Sequence, residues 1–304
     1  MRLRHAVSAA AGLCALATAP QGASASDDQW QLEPTARVEL GFVSAETATR
    51  DEQIVVDGDA VTLRGQVGLE LGDDNTRFRI EADRIEVFRL GEGRSDSARD
   101  RLTFQFDQEL NEDWDIQFRA RMYDDFVTAE SSDTDETQVS TELTYEPERA
   151  HRFQVRGTWR EREYDNGTGG VQTRGEGPRV DAGYRHRLGR YHYINFDLRA
   201  ESITSDDPER GYQRQSLGAS YTRPITSDLR VRPAFEYINT RFDGRLTDEG
   251  EQRHDQLFVP EVELLWWPGP WRVEAEAKYI FSNSNLSTRE REGYRLTLSV
   301  GYVF

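Results

Sequence analysis

The chain is nearly free of cysteine, with Cys14 the only one in 304 residues. It also lacks any run of about 18 apolar residues, the length a membrane-spanning helix needs. Basic residues are in deficit, 38 Lys and Arg against 55 Asp and Glu, for a formal net charge of -17. The missing apolar runs exclude a bundle of transmembrane helices. The acidic balance argues against a nucleic-acid partner, whose footprint is basic. A mean hydropathy of -0.78 and 36% hydrophobic residues suit a soluble protein. They suit a β-barrel equally, because a barrel writes its apolar band as every second residue.

The first residues indicate the compartment. Met1-Arg2-Leu3-Arg4-His5 is a short basic segment, and Ala6 to Pro20 is small and apolar. Ala23-Ser24-Ala25 fits the A-x-A cleavage pattern of a secretory signal peptide. A first transmembrane or core helix is the alternative, but the apolar run is too short to span. Cys14 lies inside this leader and follows Leu13 rather than a small residue, which does not fit a lipid-attachment site. The expected mature chain is a single domain, 26–304, beginning at Ser26 and free of cysteine. It has no disulfide scaffold, thiol nucleophile or thiolate metal site. Loss of Arg2 and Arg4 takes the charge from -17 to -19.

Strict alternation of apolar and polar residues marks a strand with one apolar face. It occurs in fourteen runs: 36–46, 60–72, 76–90, 101–110, 114–127, 138–147, 151–164, 178–188, 191–205, 212–225, 229–243, 256–267, 271–282 and 294–304. Short gaps with turn chemistry, such as Gly72-Asp73-Asp74-Asn75 and Pro268-Gly269-Pro270, separate some runs. Longer polar gaps at 47–59, 91–100, 128–137, 165–177, 206–211, 244–255 and 283–293 separate the others. Short turns on one side and longer loops on the other describe an outer-membrane barrel, with both termini at the periplasmic side. A sandwich has shorter strands, and an open sheet is excluded from lipid because every backbone group must be paired. The expected fold is therefore all-β: a closed antiparallel transmembrane β-barrel of about 14 strands, with 12 or 16 as alternatives. Aromatic residues fall near the edges of the apolar band. Trp114, Trp266 and Trp271 lie toward the short turns, and Phe126, Trp159, Phe242, Phe281 and Tyr294 toward the loops. That pattern is an aromatic girdle.

The terminal Val300-Gly-Tyr-Val-Phe304 alternates to an aromatic last residue. In this the chain resembles the Gram-negative outer-membrane β-barrels, and porins among them. The resemblance implies that Tyr302 and Phe304 form the signal read by the barrel-assembly machinery. It also implies outer-membrane lipid and lipopolysaccharide as surroundings. The final hairpin, from Tyr279-Ile-Phe-Ser-Asn-Ser-Asn285 to Phe304, resembles the end of surface lipoprotein assembly modifier barrels, which are also fourteen-stranded. Those proteins carry a helical-repeat periplasmic domain; here the leader is followed within about ten residues by strand pattern. The compact size also resembles monomeric fourteen-stranded porins.

The parity set by the apolar residues assigns the inward face. Arg119, Arg121, Arg152, Arg156, Arg160 and Arg185 are lumen-lining basic candidates, and Glu261, Glu263, Glu274 and Glu276 are acidic ones. Runs seven and eight are Arg-rich, and runs twelve and thirteen Glu-rich. In a fourteen-strand ring, strands seven apart face each other. A transverse field across the lumen is expected, suited to small polar solutes. The competing view is a salt-bridge ladder that only holds the wall together. Fourteen strands lie toward the sizes that leave an aqueous channel. Passive diffusion of small hydrophilic solutes is the expected function. The alternative is a non-conducting barrel whose surface loops bind partners or assist surface export.

Catalytic and metal chemistry is little supported. No serine lies in a Gly-x-Ser-x-Gly elbow. His151 and His192 fall at short-turn ends, and His186 has outward parity. His254, in the 244–255 loop beside Asp255 and Glu251, reads as solvated surface rather than a dyad. The acidic loops read as solvated, or bridged to lipopolysaccharide by divalent cations, since none has calcium-ligand spacing. No cofactor and no plug domain are expected. The intact mass of the protein isolated from a Gram-negative host should begin at Ser26; a mass that retains residues 1–25 contradicts the leader assignment.

Overall fold

The structure, a computed structural model, describes residues 30–49, 55–91, 95–125, 134–164 and 172–304. The leader, Phe126 and parts of the loops at 47–59, 91–100, 128–137 and 165–177 lie outside the described residues. Fourteen long strands follow in order: β1 (Gln31–Thr49), β2 (Ala60–Gly72), β3 (Thr76–Arg89), β4 (Ser97–Asn111), β5 (Trp114–Asp124), β6 (Thr134–Glu148) and β7 (His151–Tyr164), then β8 (Thr173–Gly189), β9 (His192–Ser205), β10 (Tyr212–Pro224), β11 (Leu229–Leu246), β12 (Gln252–Trp266), β13 (Trp271–Ser284) and β14 (Arg291–Val303). A three-residue strand, Val55–Asp57, extends the first loop along β1. Every strand pairs antiparallel with its sequence neighbours, and β1 pairs with β14, so the ring closes. Two of the expected runs, 60–72 and 151–164, coincide with strands, and most of the others prove longer.

The pairing fixes the shape. A row of paired residues followed once around the ring leaves β1 at Gln31 and returns to it at Thr49, a stagger of 18 residues. With strands about 4.8 Å apart and about 3.3 Å per residue, this stagger means a strand tilt of about 40° and a radius of about 14 Å.

Side chains alternate as the pleat demands. Exposed apolar residues hold one parity on each strand: Leu40 and Phe42 on β1, Phe104 on β4, Val139 on β6, Val155 and Trp159 on β7, Leu198 on β9, Leu296 and Leu298 on β14. They form the outer surface. Each such side chain placed in lipid rather than water contributes roughly 1.5–3 kcal/mol. Trp266 and Trp271 lie outward near the short turns, and Trp159, Phe281 and Tyr294 outward near the loops. Trp114 stacks on Tyr145 with ring centroids 4.4 Å apart. Phe242 corrects the girdle assignment. It has inward parity on β11 and is 3% exposed, packed with Ile203 and Tyr212. Its aromatic character does not place it in lipid, because parity decides the face.

The closing strand is held at its tip. The Phe304 amide donates to the Ala36 carbonyl at 3.0 Å. Tyr302 meets Trp271 edge-on at 5.1 Å and Phe304 at 4.7 Å.

One close approach in the wall demands a glycine. A Cβ on Gly177 of β8 would sit 2.0 Å from the Ser202 carbonyl oxygen of β9, whereas one on Gly65 of β2 would meet nothing within 4 Å. Gly177→Ala should cost about 1–3 kcal/mol in urea unfolding of the lipid-embedded protein, and Gly65→Ala should leave the midpoint unchanged. Equal effects would contradict the β8–β9 packing.

Candidate functional site

The interior of the ring is a concave polar surface, and its two halves differ. On β6–β12 the end nearer the longer loops is packed. Tyr164 is 0% exposed, Ile203 and Tyr212 each 1%. Glu201 organises this region. Its carboxylate accepts from Arg160 Nη1 at 3.1 Å, Arg214 Nη1 at 3.1 Å and the Tyr212 hydroxyl at 3.3 Å. Arg162 is ion-paired with Glu136 and also donates to the Tyr212 hydroxyl at 3.2 Å. The loop after β9 turns through a 3₁₀ helix, Pro208–Arg210, whose first turn is capped by Asp207. It lays the Arg210 guanidinium 4.5 Å from the Tyr164 ring centre. Arg253 and Arg245 lie 4.5 and 4.7 Å from the Phe242 ring centre. The result is a sill of stacked cations and rings along one side of the mouth.

The Arg-rich strands are largely neutralised where they stand. On β7, Arg152 pairs with Glu146 at 3.1 Å, Arg156 with Glu142, and Arg160 with Glu201. On β8, Arg185 donates to the Asn195 side chain at 2.9 Å and lies over Tyr193. Unpaired positive charge sits instead on β5. Arg119 donates only to the Gln105 and Gln117 side chains, and among the described residues Arg121 has no carboxylate within ion-pair reach.

The acidic wall stands opposite. Glu263 pairs with Arg232, and Lys278 lies 3.7 Å from Glu261 and 2.9 Å from Glu276. Glu274 accepts from the Trp267 indole at 3.2 Å. Three of these four carboxylates thus share two cations, Arg232 and Lys278, and Glu274 is held by an indole instead. Their level follows from the stagger. The row from Arg119 meets β12 at Asp255, and half of the 18-residue climb is nine. Residue 264 is therefore level with Arg119, and 262 with Arg121. Glu263 faces Arg119 and Glu261 faces Arg121 across the ring, about 28 Å between backbones. Tyr302 and Phe304, the expected assembly signal, lie at the short-turn end on β14 and after it.

At the short-turn mouth a cluster appears that periodicity alone did not single out. Arg230 lies 3.8 Å from the Tyr191 ring centre and 4.6 Å from that of Trp267, with Arg272 on Trp267 at 5.4 Å. Tyr191 sits in the turn before β9. Its hydrogen bond with Arg190, and the positive charge of Arg190, hold its phenol below the ordinary tyrosine range. The doubled Trp266-Trp267 was the available signal, since adjacent residues on a strand must face opposite ways.

His254 is not in a loop: it lies on β12, faces outward and contacts the Asn239 side chain. Asp255 faces inward and binds Arg253 and the Ser284 hydroxyl. Strand alternation therefore separates the two groups. Glu201→Gln should strand two guanidiniums in the sill and cost about 3–5 kcal/mol, read as a lower urea midpoint. A change near zero would show that the sill is hydrated rather than packed.

No family model matches the chain, and no curated protein matches it. Solved structures do. OmpT, an outer membrane protein of Vibrio cholerae, aligns with a TM-score of 0.52 at 8% identity, covering 92% of this chain and 99% of that one. The TodX monoaromatic hydrocarbon channel aligns at 0.54 and 9%, covering 92% and 90%. A FadL homologue of Pseudomonas aeruginosa aligns at 0.53 and 8%, covering 89% and 90%. Such identities speak for architecture alone, and the architecture is the closed fourteen-strand β-barrel of the Gram-negative outer-membrane proteins.

Proposed function

We propose that the protein resides in the outer membrane and is a passive channel for small hydrophilic solutes. The observation that carries this reading is the solvent exposure of its charged interior. At mid-height, inward side chains keep much of their surface: 39% for Arg199, 34% for Arg232 and 25% for Glu276. A ring of about 14 Å radius with such a lining favours water and polar solutes over an aromatic hydrocarbon of the kind named for TodX. Facing Arg119 and Arg121 with Glu261 and Glu263 orients water across the path, and walls of low dielectric focus that field. The reading is non-catalytic, since the one suggested dyad is split between two faces. Lipid and lipopolysaccharide are the proposed surroundings, the assembly machinery the proposed partner of Phe304, and removal of residues 1–25 the proposed route of export.

The packed sill favours one other reading: a non-conducting barrel whose loops bind partners or assist surface export. Planar-bilayer recording separates the two. The channel reading expects a steady ohmic conductance, and swelling of protein-bearing liposomes in small sugars that fails for large oligosaccharides. Replacing Arg119 and Arg121 together with alanine should move the reversal potential in a KCl gradient toward cation preference. Absent conductance from folded protein would overturn the reading.

A further inference from the structure

Arg230 is a buried cation without an acceptor. It lies on β11 at the short-turn end, is 7% exposed, and among the described residues makes no hydrogen bond and no ion pair. Its Nε–H is sealed from solvent with nothing to accept it. Its register partners are Pro224 on β10 and Leu265 on β12, whose side chains offer no acceptor. Two rings hold it instead, Tyr191 at 3.8 Å and Trp267 at 4.6 Å. Stacking serves the faces of a guanidinium. Its five N–H donors lie along the edge, and a buried donor left without an acceptor is costly unless another group supplies one.

The neighbouring cations meet only neutral groups. Arg272 lies 5.4 Å from the Trp267 ring centre and donates to the Gly269 and Trp271 carbonyls, both at 2.8 Å. Arg190 lies 5.1 Å from the Tyr191 ring centre, and Arg187 donates to the Gly189 carbonyl at 3.4 Å. Among the described residues none of these four has a carboxylate within ion-pair reach. Of the acids on this side, Glu274 accepts from the Trp267 indole, Glu263 is paired with Arg232, and Asp228 stands exposed in the turn before β11. Elsewhere on the rim the turns carry Asp73, Asp74, Glu112 and Asp113, so the positive lip is confined to β8–β13. Tyr191 shows that the lip is built. Its φ is 56°, a left-handed conformation that a bulky residue keeps only where its surroundings impose it. The charges acting on its hydroxyl, those of Arg190, Arg230 and Arg187, are all positive.

We propose that the Tyr191–Arg230–Trp267–Arg272 stack is a binding site for small polyanions, solutes that carry two or more carboxylate or phosphate groups. One oxyanion accepts from the edge of Arg230 and a second from Arg272, the two guanidiniums being held on one indole. The rings fix the guanidinium planes in advance, so little freedom is lost on binding. Arg187 and Arg190 add to the potential that draws the solute in. The site deepens the channel reading, on which it rests for a supply of solute, by naming the charge of what is held at the short-turn mouth.

Citrate and inorganic pyrophosphate are the probes, each titrated calorimetrically into the folded barrel in detergent, with sorbitol as the neutral control. One site per chain is expected for a polyanion and none for sorbitol. Tighter citrate would name carboxylates as the preferred groups, and tighter pyrophosphate would name phosphates. Arg230→Gln with Arg272→Gln should weaken binding about tenfold or more, with unchanged β-sheet circular dichroism as the check on folding. Arg187→Gln, on an exposed side chain outside the stack, should weaken it about threefold. Arg174→Gln, on an exposed cation at the loop end, should change nothing. Absent binding of both polyanions, or equal binding in the Arg230/Arg272 double variant, overturns the proposal. Polyanion binding to a barrel that does not conduct would leave the site and remove the channel, and conductance without binding would do the reverse.

Discussion

Every backbone amide and carbonyl inside a bilayer must find a partner within the protein, and this one constraint organises the molecule. A sheet meets it only by closing, and closure is made by the thirteen residue pairs between β1 and β14. The 18-residue stagger is the form that closure takes here. It fixes the tilt, the radius and the levels at which inward side chains face one another. The charged lumen follows, because a ring of this radius is too wide for apolar side chains to fill and must be lined for water.

Within that ring the charges divide by hydration. Near the sill, Arg160 and Glu201 are each more than nine-tenths buried and are bound on several sides. A buried charge left unpaired is expensive, so this region is held as a unit and is better suited to shape than to traffic. Lower in the lumen, charges stay wet and are only partly paired. There, among the described residues, the Arg121 guanidinium has no carboxylate within ion-pair reach, a state tolerable only where solvent reaches the group. The wet residues are the ones within reach of anything dissolved in the lumen.

What the sequence shows of this depends on what lipid imposes. Between the two membrane surfaces, alternation is enforced, so the runs 60–72 and 151–164 are read to the residue. Beyond the lipid, strands continue with polar residues on both faces, and the pattern fades. β6 begins at Thr134 and β8 at Thr173, four and five residues before the alternation does. Parity identifies the inward residues but not their partners. Arg156 and Arg160 look like a free basic wall until Glu142, on the adjacent β6, and Glu201, two strands away on β9, are seen beside them. Unpaired charge on β5 is therefore a fact of register, invisible to periodicity. Phe242 shows the opposite error, in which residue type outweighed parity.

The absence of cysteine after Cys14 makes one measurement decisive. Single cysteines at Arg121 and Glu263, and at the outward Phe104 and Leu198, would be exposed to a charged, membrane-impermeant thiol reagent with the barrel in lipid vesicles. A closed ring around a water-filled, two-walled lumen predicts fast labelling at the first two positions and protection at the others. Protection at Arg121 and Glu263 with labelling at Phe104 and Leu198 would contradict it.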